Sequence, residues 1–575
     1  MFEKPLVTRR IAVLLSTSIV GTQVFAAPAL QAPNAGQIER QVERSLPSAP
    51  LPKVLPPIED DKKPSPEKQP SPRIELKGVR FEGNLSITSE QLKTVIDDSL
   101  GKQLTINELK GLADLVVREY SRFGFLAAAT LPPQDVVGGV ITIKIQEARF
   151  SGAFVDKASL EHARVEPGIV ESVFASSQPI GDTVNFDQIE RAEILISDMG
   201  YIVSGGFQPG KQEGETAYGV VLNQQAPFSG VMSIDNQGSR STGDKRALVN
   251  VDWLSPLRRG DTLSLSLLKT EGTEYARLGY KMPVGFEGWT LETQLSALNY
   301  EIVTADFAST RPKGETQMAS LGVQYPLLRS RSENLYFASS LSRNFYKNEQ
   351  ISSGSYAVQS DYHVDAMKFG LTGNRFIQNR VDQYGLDLTL GKANLSGSQN
   401  YSDDQTGAKT HGRFAKLGIN LSTKIPVSTW NISSTIDAQV ASKNLDSSQK
   451  FYLGGASGVR AYPESEGAGV NGFRFSLEAD RQLTFELTGS VFYDFGRIQQ
   501  YDNNENSSGS ALADVNVYNL SGYGVSLNLK GPRNSLMKAI WSRRIGSNPN
   551  PTSTGLDQDG SLEKDRFWLS IALPL

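Results

Sequence analysis

The stretch GGASGVRAYPESEGAGVNGFRFSLEADRQL, residues 454–483, changes character at its middle. Its first nineteen residues hold six glycines around a single Val-Arg-Ala-Tyr. From residue 472 to residue 481, apolar and polar residues alternate strictly. A period of two residues is typical of a β-strand with one apolar and one polar face. The stretch therefore predicts a glycine-rich loop that leads directly into a strand between an apolar and an aqueous environment.

The same alternation continues through the C-terminal part of the chain and up to its last residue. Connections of two to eight residues follow the even-numbered strands, whereas those after odd-numbered strands reach 30 residues. An even number of alternating strands with short turns at one rim indicates a bacterial outer-membrane barrel. A large soluble β-domain is the alternative, and the fully apolar strand faces disfavour it. The sixteen antiparallel strands predicted in 227–575 start near residues 228, 245, 261, 274, 289, 314, 334, 361, 381, 411, 428, 472, 484, 515, 535 and 566.

The N-terminus carries a predicted signal peptide, residues 1–26, with basic residues before a short apolar run and small residues at the cleavage position. A short helix is predicted over 34–46, because Ile38, Val42 and Leu46 recur at a spacing of four. So short a helix is marginal in water, and periodicity alone leaves open whether it packs against a wall or stays a solvated tail. Nine prolines in 47–72 predict an extended linker.

Residues 73–226 are predicted to form two similar α+β modules in tandem, 73–147 and 148–226. The first has the order β-α-α-β-β, and Thr88 and Thr105 are predicted to cap its two helices. The second repeats this order, although its opening helix is poorly marked in the sequence.

Composition argues against most catalytic and ligand-binding classes. The chain has no cysteine, its three histidines are far apart, and its net charge is -4. These features exclude thiolate chemistry and give no sign of a metal site or of nucleic-acid binding. No nucleotide-binding loop or hydrolase motif is present. We therefore predict no enzyme activity, no catalytic residue, no metal and no cofactor.

Strand parity pairs the lone arginine of the loop with one aspartate. Residues 442–471 follow the eleventh predicted strand, so they start at the long-loop rim, and their glycines permit a bend back into the barrel. On the thirteenth predicted strand, Asp494 has the opposite parity to the apolar, outward-facing residues. Arg460 brought into the lumen would meet Asp494 there, and an Arg–carboxylate pair would fix the loop. A solvated arginine above a lumen aspartate is the alternative.

Several stretches match one known family. They are EYSRFGFLAAATLPPQDVVGGVITIKIQE (119–147), SIDNQGSRSTGDKR (233–246), GGASGVRAYPESEGAGVNG (454–472) and VFYDFG (491–496). Together with the N-terminal helix and linker, they resemble the two-partner secretion outer-membrane transporters, the TpsB family. The matching motif positions are Gly124, Pro132, Pro133, Gln134 and Gly139 in the first module, Val459, Arg460, Ala461 and Tyr462 in the loop, and Asp494. The chain departs from the family pattern at Ala461, where glycine is usual, and at Leu575, where an aromatic residue is usual.

The resemblance implies an all-β transmembrane barrel preceded by two periplasmic POTRA domains and a plug helix, residues 27–46. It also implies a lumen loop anchored by Arg460. The expected function is export of a large TpsA-type partner across the outer membrane. The partner is unfolded during transport and β-helical once secreted, and no nucleic acid is involved. Outer-membrane lipid and the barrel-assembly machinery are the other expected partners. The alternatives are an insertase of the same superfamily and a general porin.

Overall fold

The computed structural model describes residues 30–46, 51, 73–160, 164–224, 226–464 and 466–575. The predicted signal peptide, 1–26, and the predicted linker, 47–72, lie outside the described residues, apart from Leu51. Within the described ranges, none of the helices is both long enough and apolar enough to cross a membrane. The N-terminal helix, α1, spans Ala35–Ser45, and the side chain of Asn34 caps it by accepting from the N–H of Gln37 at 3.0 Å.

The first α+β module has the predicted β-α-α-β-β core with one added strand. Thr88 and Thr105 form capping boxes with Gln91 and Glu108, as predicted. The predicted single strand at the start of the module is split in two, and the first piece pairs with a short strand between the helices. Its elements are β1 Arg73–Glu75, β2 Gly78–Glu82, α2 Ser89–Ile96, β3 Gln103–Thr105, α3 Ile106–Arg122, β4 Ala127–Thr130 and β5 Val140–Glu147.

The second module repeats this topology. In both modules the last strand lies in the middle of a three-stranded sheet, parallel to the strand just before the helices and antiparallel to the strand just after them. The opening helix that the sequence did not mark begins at Pro167 and has no side-chain cap, so proline at its first turn is its main start signal. The elements are β6 Arg149–Val155, α4 Lys157–Leu160, α5 Pro167–Ser177, α6 Phe186–Ser197, β7 Tyr201–Pro209 and β8 Glu215–Gln224.

Sixteen antiparallel strands close into one barrel, in which the last strand pairs with the first. This confirms the predicted fold class. Two short strands, β20 Phe451–Tyr452 and β21 Ala468–Gly469, belong to a loop and not to the wall. The wall strands are β9 Phe228–Asp235, β10 Arg246–Leu254, β11 Thr262–Lys269, β12 Thr273–Val284, β13 Trp289–Glu301, β14 Lys313–Arg329, β15 Glu333–Ser352, β16 Ser355–Ile377, β17 Arg380–Asn394, β18 Gly412–Val427, β19 Trp430–Ala441, β22 Asn471–Gln482, β23 Leu487–Gln499, β24 Val517–Lys530, β25 Leu536–Arg544 and β26 Asp565–Pro574.

Two details of the predicted barrel are wrong. The eighth wall strand, β16, starts at Ser355 and not near 361, because β15 and β16 continue as a hairpin whose tight turn uses positive φ at Ser353 and Gly354. The connection after β15 is therefore short, and the one after β11 is short as well, although both lie at the long-loop rim. The lumen loop ends at residue 470, since β22 begins at Asn471.

The second module contacts the short-turn rim of the barrel. Arg329 pairs with Asp198 at 2.6 Å, and Arg331 pairs with Glu190 at 2.6 Å. Arg191 also donates to the carbonyl of Pro326 at 3.2 Å. These contacts place the two modules at one end of the barrel and the long loops at the other.

Candidate functional site

The loop between β19 and β22, residues 442–470, turns back into the barrel. Val459, Ala461 and Tyr462 are buried and pack in one apolar cluster with Ile498 and Leu520. Along β23 and β24, buried residues alternate with exposed ones, and Ile498 and Leu520 are on the buried face. The tip of the loop therefore lies in the lumen.

Arg460 and Asp494 form a bidentate pair. Nε and Nη2 of Arg460 donate to Oδ2 and Oδ1 of Asp494, both at 2.9 Å, and the backbone N–H of Arg460 donates to Oδ2 at 3.1 Å. Arg460 is 7% exposed and Asp494 is 0% exposed. The structure thus brings together the two residues that strand parity placed opposite each other. Such a pair fixes orientation as well as adding energy.

Arg460 also has a second carboxylate partner, which the sequence analysis missed. Its Nη1 donates to Oε2 of Glu478 at 2.8 Å, and its Nη2 donates to the hydroxyl of Ser476 at 3.2 Å. The guanidinium carbon lies 3.3 Å from the ring centroid of Phe492, a cation–π contact. Glu478 and Ser476 have the polar-face parity in the strand at 472–481, so the alternation itself could have identified them.

The backbone carbonyl of Arg460 also forms hydrogen bonds with the wall. It accepts from the hydroxyl of Ser542 at 2.7 Å and from the indole N–H of Trp568 at 2.8 Å. These residues lie on β25 and β26, whereas Glu478 and Asp494 lie on β22 and β23. One loop residue therefore connects four wall strands.

The wall leaves room for the loop at glycine positions. A Cβ at Gly522 would lie 2.5 Å from the Cβ of Ala461, and one at Gly496 would lie 2.6 Å from the side chain of Leu453. Ala461 is not among the residues with positive φ. The replacement of the usual glycine by alanine at position 461 therefore causes no backbone strain.

A second ion-pair cluster joins the lumen loop to the connection between β25 and β26, and the sequence analysis did not predict it. Arg544 forms a bidentate pair with the fully buried Asp557, and Arg566 approaches the same carboxylate at 3.5 Å. Asn548 bridges this cluster to the lumen loop by donating to Asp557 at 2.8 Å and to Glu466 at 3.0 Å. The residues of this connection have no regular pattern, so only their proximity in the fold reveals the cluster.

Helix α1 lies in the lumen beside the loop. Ile38, Val42 and Leu46 are buried, and they belong to one apolar cluster with wall residues that include Leu268 and Tyr346. A Cβ at Gly36 would lie 2.8 Å from the hydroxyl oxygen of Ser447, a residue of the lumen loop. The helix is thus packed between the wall and the loop.

Polar contacts from the wall also hold α1. Glu39 accepts hydrogen bonds from the hydroxyl of Tyr346 at 2.6 Å and from Asn344 at 3.2 Å. Glu43 accepts from Tyr275 and pairs with Arg277 at 3.2 Å. The apolar positions of the helix were evident from the sequence, but its carboxylates gave no comparable signal.

The motif residues of the first module stabilise the local structure of that module and have no contact with the lumen residues that the structure describes. Gly124 ends α3 with a φ of 79°, and a Cβ at Gly139 (φ 77°) would lie 2.6 Å from the carbonyl oxygen of Glu75. The amide of Gln134 bonds both the N–H and the carbonyl of Thr142, at 2.6 and 2.7 Å, and also donates to the carbonyl of Pro132 at 3.3 Å. Pro133 lies between them in the chain. The structure does not bring any of these residues to Arg460 or α1.

Glu147 joins the two modules and was not singled out in the sequence analysis. Its carboxylate accepts from the N–H groups of Leu85 and Ser86, both at 2.7 Å, and from the hydroxyl of Tyr120 at 2.7 Å. From the second module, Thr183 donates its hydroxyl to the same carboxylate at 2.9 Å. This one side chain therefore links both modules.

The polar contacts in the lumen join three parts of the molecule: the wall, the loop and α1. Across the part of the chain that the structure describes, no group of His, Cys, Asp and Glu side chains could hold a metal ion. Several charged side chains of the lumen, among them Glu39, Glu43 and Arg460, form ion pairs or hydrogen bonds between the wall, the loop and α1. These contacts can be broken without opening the strand ladder that closes the barrel.

Comparison with known proteins gives a consistent result. Residues 214–529, more than half of the chain, match the model of the family described as haemolysin secretion/activation protein ShlB/FhaC/HecB. Residues 74–148 match the POTRA domain of ShlB type.

Individual relatives support the same match. The chain is 23% identical to the heme/hemopexin transporter protein HuxB of Haemophilus influenzae, over 94% of this chain and 95% of the relative. It is also 23% identical to the outer membrane transporter CdiB of Escherichia coli, over 71% of this chain and 70% of the relative. The solved structure of CdiB from Escherichia coli is similar with a TM-score of 0.67 and 18% identity, covering 94% of this chain and 96% of that one.

Proposed function

Because the chain belongs to the haemolysin secretion/activation (ShlB/FhaC/HecB) family of two-partner secretion outer-membrane transporters, we propose that it captures an unfolded secreted partner in the periplasm and exports it through its barrel. One observation carries this proposal: α1 and residues 442–470 lie in the lumen, and neither belongs to the wall ladder. Segments of this kind can move aside while the barrel stays closed on itself. The barrel is then blocked at rest and open during transport.

The orientation of the molecule follows from its rims. The two modules contact the short turns, and short turns face the periplasm in bacterial outer-membrane barrels. The modules are therefore POTRA domains in the periplasm, and the long loops lie at the cell surface. The predicted signal peptide exports the chain from the cytoplasm, and the barrel-assembly machinery inserts the barrel.

The edge of the second module is the proposed capture surface. In its sheet the order is β6-β8-β7, so β7 has a neighbour on one side only, whereas β8 is paired on both sides. Within the described residues 201–224, Tyr201–Pro209 is thus the strand whose outer edge has no strand partner. An extended cargo segment can add a strand to such an edge and gain main-chain hydrogen bonds. The proposed cargo is a large TpsA-type protein that becomes β-helical after export.

Site-specific crosslinking tests this capture step. The chain has no cysteine, so Ile202→Cys and Ser204→Cys place single thiols on β7. With a cargo stalled by a folded C-terminal domain, both variants are expected to form a disulfide with cysteines in the N-terminal part of the cargo. Phe567→Cys, on the outer face of β26 and 65% exposed, is the control and is expected to form none. Crosslinks at position 567 but not on β7 would contradict capture by this edge.

The alternative functions have less support. A general porin needs an open lumen, and here the lumen contains a helix and a loop with apolar and ionic contacts to the wall. An insertase shares the barrel and the periplasmic modules, and deletion of residues 73–226 separates its function from export.

A further inference from the structure

A row of charged side chains crosses the outer face of four neighbouring strands. Arg343 on β15 lies opposite Asp365 on β16, which lies opposite Lys392 on β17, which lies opposite Arg413 on β18. The exposed residues two positions away on β15, β16 and β17 are Leu341, Met367 and Leu390. Because alternate residues share a face, the charged row belongs to the same outward, lipid-facing side as these apolar residues.

The row lies at the boundary of the apolar belt nearer the long loops. On β16, the outward positions between Asp365 and Arg375 are Met367, Phe369, Leu371 and Gly373. Ten residues of a strand tilted by about 40° span about 25 Å along the membrane normal, which is the height of the apolar band of such barrels. Asp365 and Arg375 therefore mark its two polar boundaries.

The two boundaries differ in charge balance. At the short-turn side, Arg375 lies 3.7 Å from Glu333, and Arg380 pairs with Asp382 at 2.7 Å. At the other side, Arg343 forms a bidentate pair with Asp365 at 2.6 and 3.0 Å.

Lys392 and Arg413 form no ion pair with an acidic side chain among the described residues, because Asp365, the carboxylate opposite Lys392, is already paired with Arg343. They nevertheless lie directly opposite each other, and like charges in this position destabilise a sheet. An external anion would relieve the repulsion between them.

A depression in the outer wall lies beside the charged row. Its volume is about 950 Å³, and Leu321, Leu341, Met367 and Leu390 line it. Two small residues, Ala319 and Ala415, lower the surface between these larger side chains. Hydrocarbon fits this depression, and its polar end would then lie beside Lys392 and Arg413.

We propose that this face of β14–β18 binds a phosphorylated, acylated glycolipid of the outer leaflet, with a phosphate held by Lys392 and Arg413 and an acyl chain in the depression. Basic side chains are strong partners of phosphate oxygens. The proposal rests on the orientation given under Proposed function, because it requires the long-loop rim to face the outer leaflet. A site of this kind would hold the barrel against one lipid on the side formed by its longest strands.

Lipid binding to the purified full-length chain tests the proposal. Native mass spectrometry in detergent would measure the affinity for bis-phosphorylated lipid A and for the same lipid after removal of its phosphates. The test variant is Lys392→Gln with Arg413→Gln. The control is Lys530→Gln with Arg533→Gln, which removes two exposed cations at the short-turn rim. Each basic residue near an anionic lipid surface contributes about fivefold to affinity, so we expect about a 25-fold loss in the test variant and none in the control.

Removal of the phosphates is expected to weaken binding to the wild-type chain and to leave the test variant unchanged. Equal affinity of wild type and test variant would overturn the proposal, and so would indifference to the phosphates. Full competition by inorganic phosphate would indicate a free-anion site, and a lipid-independent dimer would indicate that a second copy covers this face. Either result also overturns it. If the double variant does not assemble, each single variant is expected to show about a fivefold loss.

This test is independent of secretion. A chain that binds lipid A through these residues but exports no cargo would contradict the proposed transport function and leave the lipid site standing. A chain that exports cargo but does not distinguish the phosphorylated lipid would do the reverse.

Discussion

We propose that Arg460 is the main anchor of the lumen loop. It contacts carboxylates on β22 and β23 through its side chain, and β25 and β26 through its carbonyl. Removing one partner of a buried ion pair typically costs about 3–5 kcal/mol, because the other charge is left unpaired. The wall itself is held by its own ladder and does not depend on this contact.

We expect Arg460→Ala and Asp494→Ala to assemble in the outer membrane at wild-type levels and to secrete at least about tenfold less cargo, since 1.4 kcal/mol already corresponds to a tenfold change. Arg460→Ala is expected to be the more severe of the two, because Asp494→Ala leaves the contact with Glu478. The double variant should secrete as little as Arg460→Ala alone, since both changes remove the same contact. Cargo in the medium and the heat-modifiable electrophoretic mobility of the barrel measure the two effects separately.

Losses that add up in the double variant would show that Arg460 and Asp494 act independently. Exchanging the charges, with Arg460→Asp and Asp494→Arg, is not expected to restore secretion. The carboxylate of Asp494 also accepts from the backbone N–H of residue 460 and from Ser476. An arginine at position 494 would leave both donors without an acceptor.

Among the elements, α1 is the one most clearly separable from the rest of the barrel. It contacts the wall through one apolar stripe, two glutamates and the N–H of Ala35, which donates to Asn348. No main-chain ladder joins it to a strand. We propose that it is a plug that leaves the lumen during transport.

Deletion of residues 27–46 is expected to raise single-channel conductance severalfold in planar bilayers, because the helix occupies part of the lumen. Secretion is expected to persist in part. A useful comparison is Glu39→Gln with Glu43→Gln, which keeps the helix but removes both of its carboxylates and should increase the frequency of opening. Unchanged conductance after the deletion would contradict a plug, and complete loss of export would assign the helix a role other than gating.

The junction between the two modules depends on the charge of Glu147. Burial by itself raises the pKa of this carboxyl, but hydrogen bonds from Ser86, Tyr120 and Leu85 outweigh burial and hold the pKa below its ordinary value. The unfolded junction therefore binds more protons in acid than the folded one. Its stabilisation is fully present above the ordinary pKa of a glutamate, and it is lost as the pH falls through the lowered pKa.

Hydrogen exchange of the full-length chain measures this effect at the N–H groups of Leu85 and Ser86. After correction for the intrinsic exchange rate, their protection is expected to fall about tenfold between pH 6 and pH 3, because hydrogen bonds to a charged group contribute about 1.5–3 kcal/mol. In Glu147→Gln, protection should be lower at pH 6 and nearly independent of pH. The same pH dependence in both chains would assign it to other groups.

At the scale of the whole molecule, we propose that capture and translocation belong to separate parts of the chain. The barrel closes by pairing β26 with β9, without a strand from either module. The second module touches it at the short-turn rim through ion pairs, hydrogen bonds and apolar contacts, such as Leu195 beside Gly288.

Deletion of residues 73–226 is therefore expected to leave a barrel that inserts and conducts but exports no cargo. Cargo in the medium, bilayer conductance and the outer-membrane protein profile would be measured together. A porin would function normally after the deletion. If the protein were an insertase, the deletion would instead lower the amounts of many other barrel proteins in the outer membrane.

Sequence by itself determined the wall of the barrel. Fifteen of the sixteen predicted strand starts lie within three residues of the observed ones. The reason is that a two-residue alternation shows which residues of a strand face lipid and which face the lumen. The exception, β16, continues into a hairpin beyond the apolar belt, where no such constraint acts. Parity also placed Asp494 in the lumen, and glycine content allowed the loop to reach it.

Only the tertiary structure decided which groups meet inside that wall. Glu478, Ser542 and Trp568 come to Arg460 from three different strands, and Asp557 comes to Arg544 from an irregular loop. Glu39 finds Tyr346 more than 300 positions away. Periodicity describes each strand relative to its own surroundings, whereas these contacts depend on how the closed barrel brings distant strands, the loop and α1 into one lumen. For that reason the wall could be predicted from the sequence, and most of the contacts that block its interior could not.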